Sequence, residues 1–133
     1  MSDRFERGLA AIDRLAADHA AIFDPVADIA PDLSRYVAEF AFGDLYTRPG
    51  LEPPHRQLLT IAALAALGDV RPQLKFHVAG ALNLGVEPAT IVETLLHCLA
   101  YVGFPRTVNA VGAVREVFAA RGLLPVGDQR PTA

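Results

Sequence analysis

Apolar residues recur at intervals of three or four along most of this 133-residue chain, which is the spacing of one face of an α-helix. The first such segment follows Ser2 and Asp3, either of which can cap a helix that runs to about Asp18. Its apolar positions are Phe5, Leu9, Ile12 and Leu15. Long stretches of alternating apolar and polar residues, which would indicate strands, are absent from the sequence. The pattern therefore predicts an all-α protein.

Proline and glycine mark the ends of five further predicted helices. Proline suits a first helical turn, where its missing N–H costs nothing, and glycine suits the residue after a helix. The second helix starts at Pro31 and runs through Phe40, after a connection over residues 25–31. The other four span residues 53–67, 72–84, 88–102 and 105–121, each followed by a glycine. Because the later connections are only a few residues long, we expect antiparallel helical neighbours.

The length of the chain fits a single domain over residues 1–133 with about six helices. From Arg56 to Leu67 the third helix is apolar on nearly all sides, so the pattern predicts that it is buried. Residues 123–133, which follow the last helix, are predicted to form a frayed tail.

Hydrophobic residues make up 52% of the chain, which favours oligomerisation through apolar helix faces. The net charge is -3 and the only lysine is Lys75, so no basic stripe exists and nucleic acid is not expected as a partner. The N-terminus has no apolar signal region, and the longest apolar run, residues 58–67, is too short to cross a membrane. With one cysteine as well, the sequence predicts a cytoplasmic protein with no membrane association.

His77 stands in an otherwise apolar helical segment, LKFHVAGALNLG, at residues 74–85. On its side of the helix lie Gly80 and Ala81, which are small enough to leave room for another helix or a ligand. Two interpretations remain open at this point. His77 is either a core histidine bonded to a backbone carbonyl or an imidazole that lines a pocket.

His97 shares a helical face with Glu93 and Tyr101, at i−4 and i+4. A carboxylate one turn away can orient an imidazole and raise its pKa, which suits proton transfer near neutral pH. A surface pair without a catalytic role is the alternative. Cys98 points about 100° away from His97 and is expected to be a small buried apolar residue rather than a nucleophile.

Polar residues at two helix starts form a third set of candidates. Arg56, Gln57 and Thr60 precede the apolar run of the third helix, where they either line a cleft or mark the point at which the helix leaves the core. Arg106 lies in the first turn of the sixth helix, beside free backbone N–H groups that could receive a carboxylate together with the guanidinium. A solvated arginine is the alternative there.

Metal and nucleotide motifs are missing from the sequence. There is no HExxH, no CxxC and no Gly-rich phosphate loop. Glu93 and His97 form the one close carboxylate–histidine set, and the segment AVGAV at residues 110–114 falls inside a helix pattern. No metal or dinucleotide site is therefore predicted.

Two stretches of the sequence resemble a known family. The segments HRQLLTIAALAALG, residues 55–68, and QLKFHVAGALNLGVEPATIVETLLHCLAYVGFPRTVNA, residues 73–110, look like the carboxymuconolactone decarboxylase family. The likeness spans about residues 52–118. Its most specific parts are the spacing from His77 to Gly85, the segment VEPATIVETLLH, and the turn at Tyr101, Gly103 and Pro105. The resemblance implies an alkylhydroperoxidase D-like bundle of helical hairpins that assembles into homotrimers or homohexamers.

The resemblance also implies which branch of the family to expect. Members of the peroxidase branch carry a CxxC pair before the histidine and a glutamate upstream, and here those positions are Val70, Gln73 and Gln57. A dithiol peroxidase needs an attacking and a resolving thiol, so that activity is expected to be absent. The other branch resembles γ-carboxymuconolactone decarboxylase, which acts without metal or organic cofactor. Its histidine matches His77, and many relatives also have histidine at the position of His97.

The implied function is cofactor-free decarboxylation of a carboxylated lactone or a related small acid. In this hypothesis His77 donates a proton to carbon, and His97, tuned by Glu93, binds the developing oxyanion or relays the proton. The predicted substrate-binding residues are Arg56, Gln57, Tyr101 and Arg106. Two alternatives stay open: a cofactor-free isomerase or cyclase acting on a lactone-like or polyketide-like molecule, and a non-catalytic ligand-binding or assembly subunit.

Overall fold

The computed structural model describes residues 2–16 and 19–127, and within them the chain is helical with no strand. The helices are α1 (Asp3–Leu15), α2 (Ala20–Phe23), α3 (Pro31–Tyr36), α4 (Pro53–Leu67), α5 (Arg71–Asn83), α6 (Pro88–Val102) and α7 (Phe104–Ala120). A short 3-10 turn, Asp24–Val26, follows α2, and a π-helix, Val37–Leu45, continues α3. The prediction of an all-α fold is confirmed.

The helix boundaries agree with the proline and glycine signals from Pro53 onwards. At the N-terminus the side chain of Ser2 accepts a hydrogen bond from the Phe5 N–H, as a capping residue should. The end of α1 was placed too late, because the backbone is already extended at Ala16. Residues 17 and 18, which the prediction included, lie outside the described residues. The sequence pattern also missed α2, which is only one turn long.

The π-helix is the other element that the pattern did not indicate. The Tyr46 N–H donates to the Ala41 carbonyl at 3.0 Å, a bond of the wide i→i+5 kind. Apolar spacing does not distinguish this turn from an α-helical one over a few residues. The second predicted helix therefore continues to Leu45, five residues beyond Phe40.

The chain forms two compact units, Met1–Arg56 and Gln57–Ala133, and the boundary falls within α4. In the first unit α1 packs against the π-helix, where a β-carbon on Gly8 would overlap the backbone carbonyl of Ala38. The Arg4 guanidinium binds the Asp44 carboxylate at 2.7 Å on the same face. Small residues therefore allow the two backbones to meet. The single domain over residues 1–133 stays a prediction.

In the second unit α4, α5, α6 and α7 share one hydrophobic core. Its fully buried side chains include Ile61, Val78, Ile91, Leu95 and Phe118, each less than 2% exposed. Each helix contributes residues spaced three or four apart, as the amphipathic pattern requires. This core holds the candidate site residues of α4 and α5 in place.

Two predictions about the second unit need correction. Helix α4 is not buried on all sides, because Leu59 and Leu67 are 57% and 64% exposed. Helix α4 has many apolar residues because one of its faces is apolar and exposed, and not because the whole helix lies inside the core. The predicted tail also starts too early, since Leu123, Leu124 and Val126 pack against the core. Residues 128–133 lie outside the described residues.

None of the described helices is both long and apolar enough to cross a membrane.

Candidate functional site

Gln57 and His77 meet between α4 and α5. The Gln57 Oε1 lies 2.9 Å from Nδ1 of His77, and the Gln57 side chain is 1% exposed. Gln57 precedes the core residue Ile61 by one turn, and His77 precedes the core residue Ala81 by one turn. The helix faces that form the core therefore also bring the Gln57 amide and the His77 imidazole into contact.

Burial sets the protonation of His77. Desolvation lowers the pKa of His77 to about 4, because the charged imidazolium loses its hydration. The ring is therefore neutral at pH 7. An amide oxygen can only accept, so Nδ1 carries the hydrogen and donates it to Gln57, which leaves a lone pair on Nε2. The free protein thus does not hold the imidazolium form that a proton-donor role for His77 first suggests.

Two buried polar groups of the second unit have unused hydrogen-bonding capacity. Within the described ranges, Nε2 of Gln57 and the hydroxyl of Thr107 are buried without a hydrogen-bond partner. Buried donors of this kind are normally satisfied, so each is a candidate contact for a ligand or a water molecule. Sequence patterns did not single out Thr107, because a threonine in a first helical turn is ordinary.

The small residues on the His77 side of α5 lie inside the protein. Gly80 and Ala81 are both buried, and Ala81 belongs to the hydrophobic core. Small residues at these positions allow close helix packing instead of opening a pocket. Of the two neighbours that these small residues allow, another helix or a ligand, the described residues show helix packing.

A cavity of about 400 Å³ lies elsewhere in the second unit, where the α4–α5 turn meets α7. It is lined by Leu64, Ala65, Leu67, Gly68, Asp69, Val70, Arg71, Leu74, Arg106, Asn109, Ala110 and Ala113. The volume suits a small organic acid. Neither His77 nor His97, the two histidines of the predicted catalytic set, lines this cavity. Leu74, one turn before His77 on α5, is the nearest lining residue in sequence to the imidazole.

Arg106 supplies positive charge to this cavity. A β-carbon on Gly68 would lie 3.0 Å from Nε of Arg106, so the absence of a side chain leaves space for the guanidinium. The φ of Gly68 is +72°, a backbone conformation that also favours glycine. The other lining arginine, Arg71, is bound to Glu116, and its hydrogen bond lowers the pKa of that carboxyl. In the described part of the chain no carboxylate forms an ion pair with Arg106. Its guanidinium can therefore receive a ligand carboxylate.

The predicted cluster around His97 lies on the surface of α6. Glu93, His97 and Tyr101 are exposed, and the ring centroids of His97 and Tyr101 are 5.9 Å apart. Over residues 2–16 and 19–127 no ion pair joins Glu93 to His97. The structure therefore places these residues on one face as expected, but does not form the carboxylate–imidazole contact that was expected to tune His97.

The remaining predicted residues have other surroundings. Arg56 belongs to the first unit, where its guanidinium donates to the backbone carbonyl of Arg48 at 3.0 Å. Cys98 is half-buried. The part of the chain that the structure describes contains no group of three or more His, Cys, Asp or Glu side chains that could hold a metal ion.

Comparison with protein families agrees with this helical arrangement. The carboxymuconolactone decarboxylase family model matches residues 31–116, which is more than half of the chain. The chain belongs to the carboxymuconolactone decarboxylase family. The family assignment made from the His77 and Tyr101 regions is thereby confirmed.

Several curated proteins are similar to this member of the carboxymuconolactone decarboxylase family. A 4-carboxymuconolactone decarboxylase of Acinetobacter baylyi is 37% identical over 98 residues, covering 74% of this chain and 72% of that protein. A nitrosuccinic acid decarboxylase of Metarhizium robertsii is 35% identical over 75 residues, covering 56% and 52%. An uncharacterised 15.0 kDa protein of Paracoccus denitrificans is 27% identical over 129 residues, covering 90% and 96%. Two relatives with different substrates in their names are therefore both called decarboxylases.

Proposed function

We propose that this protein is a decarboxylase that removes CO2 from a carboxylated lactone or a related small acid, without metal or organic cofactor. The two relatives named as decarboxylases support the reaction class. The observation that carries the proposal is the contact between the buried Gln57 and the half-buried His77, where desolvation keeps the imidazole neutral. Such a desolvated place favours loss of a carboxylate charge and controlled proton transfer.

The reaction requires an electron sink and a proton. When the carbon–carbon bond to the carboxylate breaks, CO2 leaves and the electron pair stays on the substrate, where a conjugated lactone carbonyl or nitro group can hold it. One proton then adds to the carbon that has lost CO2 or to a conjugated carbon, so that atoms and charges balance. The protein must therefore hold the carboxylate, stabilise the developing oxyanion and deliver that proton.

His77 can deliver the proton although it is neutral in the free protein. A bound anion beside Nε2 stabilises the imidazolium, so substrate binding raises the pKa of His77 and draws a proton from solvent onto Nε2. The imidazolium then gives this proton to the carbon that CO2 has left, or to a conjugated carbon. In this proposal Arg106 holds a carboxylate of the substrate from the cavity beside Gly68.

The roles predicted for the surface residues depend on assembly. We include in the proposal a homotrimer or homohexamer, which is supported by exposed apolar side chains on α6 and α7, among them Tyr101 at 83% and Phe104 at 71%. In such an assembly His97, Glu93 and Tyr101 would face a neighbouring copy, where His97 could relay a proton or bind an oxyanion. Arg56 stays a predicted substrate-binding residue.

The test is to incubate the purified protein with 4-carboxymuconolactone and, separately, with nitrosuccinate. We expect release of CO2 and loss of substrate ultraviolet absorbance with at least one of the two. Substrate loss without CO2 would contradict decarboxylation and support the isomerase or cyclase alternative. An unchanged spectrum together with saturable binding would instead support a ligand-binding subunit, an alternative that is favoured by a cavity that neither imidazole lines.

A further inference from the structure

We propose that Gln57 has two roles, in which its Oε1 positions the His77 ring and its Nε2–H group binds an anionic oxygen of the ligand. The first role depends only on the contacts of the second unit. The second role rests on the proposed function, because that function supplies a carboxylate or enolate oxygen as the ligand atom.

The positioning role follows from the geometry of the pair. The Gln57 side chain is 1% exposed and its Oε1 lies 2.9 Å from Nδ1 of His77. An acceptor at this position selects the tautomer with hydrogen on Nδ1, and it also restricts rotation of the ring. The lone pair on Nε2 is then held in one direction, which is what proton transfer to a fixed carbon requires.

The binding role follows from the other end of the same amide. Nε2 of Gln57 is buried, and no group within the described residues accepts a hydrogen bond from it. A buried N–H group without an acceptor is costly, and a negatively charged oxygen is the acceptor that compensates it best. The unused donor therefore favours a ligand with an acceptor oxygen over an apolar molecule, and among such ligands it favours an anion.

The choice of an amide at position 57 agrees with an anionic ligand. A glutamate there would have nearly the same shape, but it would have no N–H group and would repel a carboxylate. It would also favour protonation of His77 before any ligand binds. Glutamine keeps the pair uncharged, so the positive charge on His77 develops only when an anion arrives.

The experiment uses three variants of the full chain: Gln57→Met, Gln57→Glu and the control Gln73→Met. Methionine keeps the length of glutamine without its polar atoms, and glutamate keeps its shape. Gln73 is exposed on α5, one turn before His77, so its replacement is a matched change outside the buried pair. Folding of each variant is checked by its NMR spectrum.

The positioning role is read from the 15N shifts of the His77 ring, which report its tautomer independently of any activity. We expect hydrogen on Nδ1 in the wild type and in Gln73→Met, and a changed tautomer in Gln57→Met. In Gln57→Glu we expect both ring nitrogens to stay protonated to a higher pH. An unchanged His77 tautomer in both Gln57 variants would overturn the positioning role, whether or not the protein releases CO2.

The binding role is read from titrations with succinate and with its neutral diamide, succinamide. We expect the wild type to bind succinate more tightly, and Gln57→Met and Gln57→Glu to weaken succinate binding about tenfold or more, which is typical of a lost hydrogen bond to a charged group. Gln73→Met should bind as the wild type does. No binding of succinate at millimolar concentration, or equal affinity in Gln57→Met, would overturn the binding role.

Discussion

His77 and Gln57 are separated by 20 positions in the sequence, yet Nδ1 of one lies 2.9 Å from Oε1 of the other. The contact joins α4 to α5 and is buried on the Gln57 side. Its consequence is a neutral imidazole with a defined tautomer inside a family of proteins that includes named decarboxylases.

Replacement of His77 by alanine should lower the rate of CO2 release by about 10²–10⁴-fold, because a positioned acid or base contributes about that factor. The measurement is kcat with whichever substrate the wild type turns over. His55→Ala is the control, since His55 is exposed at the start of α4. Near-native turnover in His77→Ala would remove His77 from the mechanism.

Acidification should destabilise the protein through His77. Its pKa is about 4 when folded against 6.5 for the free side chain, so between these values the unfolded chain binds the proton more strongly. Stability should therefore fall as the pH decreases, by about 2 kcal/mol between about pH 7 and about pH 5 from this group alone, and above about pH 7 the group should contribute no slope. Urea unfolding of the wild type and of His77→Gln at both pH values measures the effect. Equal acid sensitivity in the two proteins would contradict it.

Removal of the charge at Arg106 should weaken substrate binding more than it slows chemistry. Because a charge-assisted hydrogen bond is lost, Arg106→Gln should raise KM about tenfold to a hundredfold, with a smaller change in kcat. Arg115→Gln, at an exposed position of the same helix, should leave KM unchanged. A KM that moves equally in both variants would indicate a general charge effect and not a site in the cavity.

A single methyl group on Gly8 should destabilise the first unit. The added β-carbon would overlap the Ala38 carbonyl, and the backbones of α1 and the π-helix would have to separate, at a cost of about 1–3 kcal/mol or more. Gly50→Ala is the matched control, since nothing lies within 4 Å of its added β-carbon. Thermal unfolding of the two variants makes the comparison. Equal melting temperatures would show that the close approach is unimportant.

Local signals predicted the long helices well, because those signals act within a few residues of each other. Pro53, Pro88 and the glycines at 68 and 103 mark the real ends of α4 and α6. The same signals missed the π-helix and the one-turn α2, since apolar spacing over so few residues does not separate one helical turn from another. They also placed the tail too early, because the packing of Leu124 depends on a distant core.

The sequence by itself determined the helical class, most helix boundaries, the family, and the identity of His77 as an unusual residue. Only the tertiary structure decided what His77 contacts, because its partner Gln57 comes from another helix whose orientation depends on packing. Packing likewise buried Gly80, left His97 on the surface and opened a cavity beside Arg106. Residue spacing identifies faces along one helix, whereas a site depends on which faces the hydrophobic core brings together.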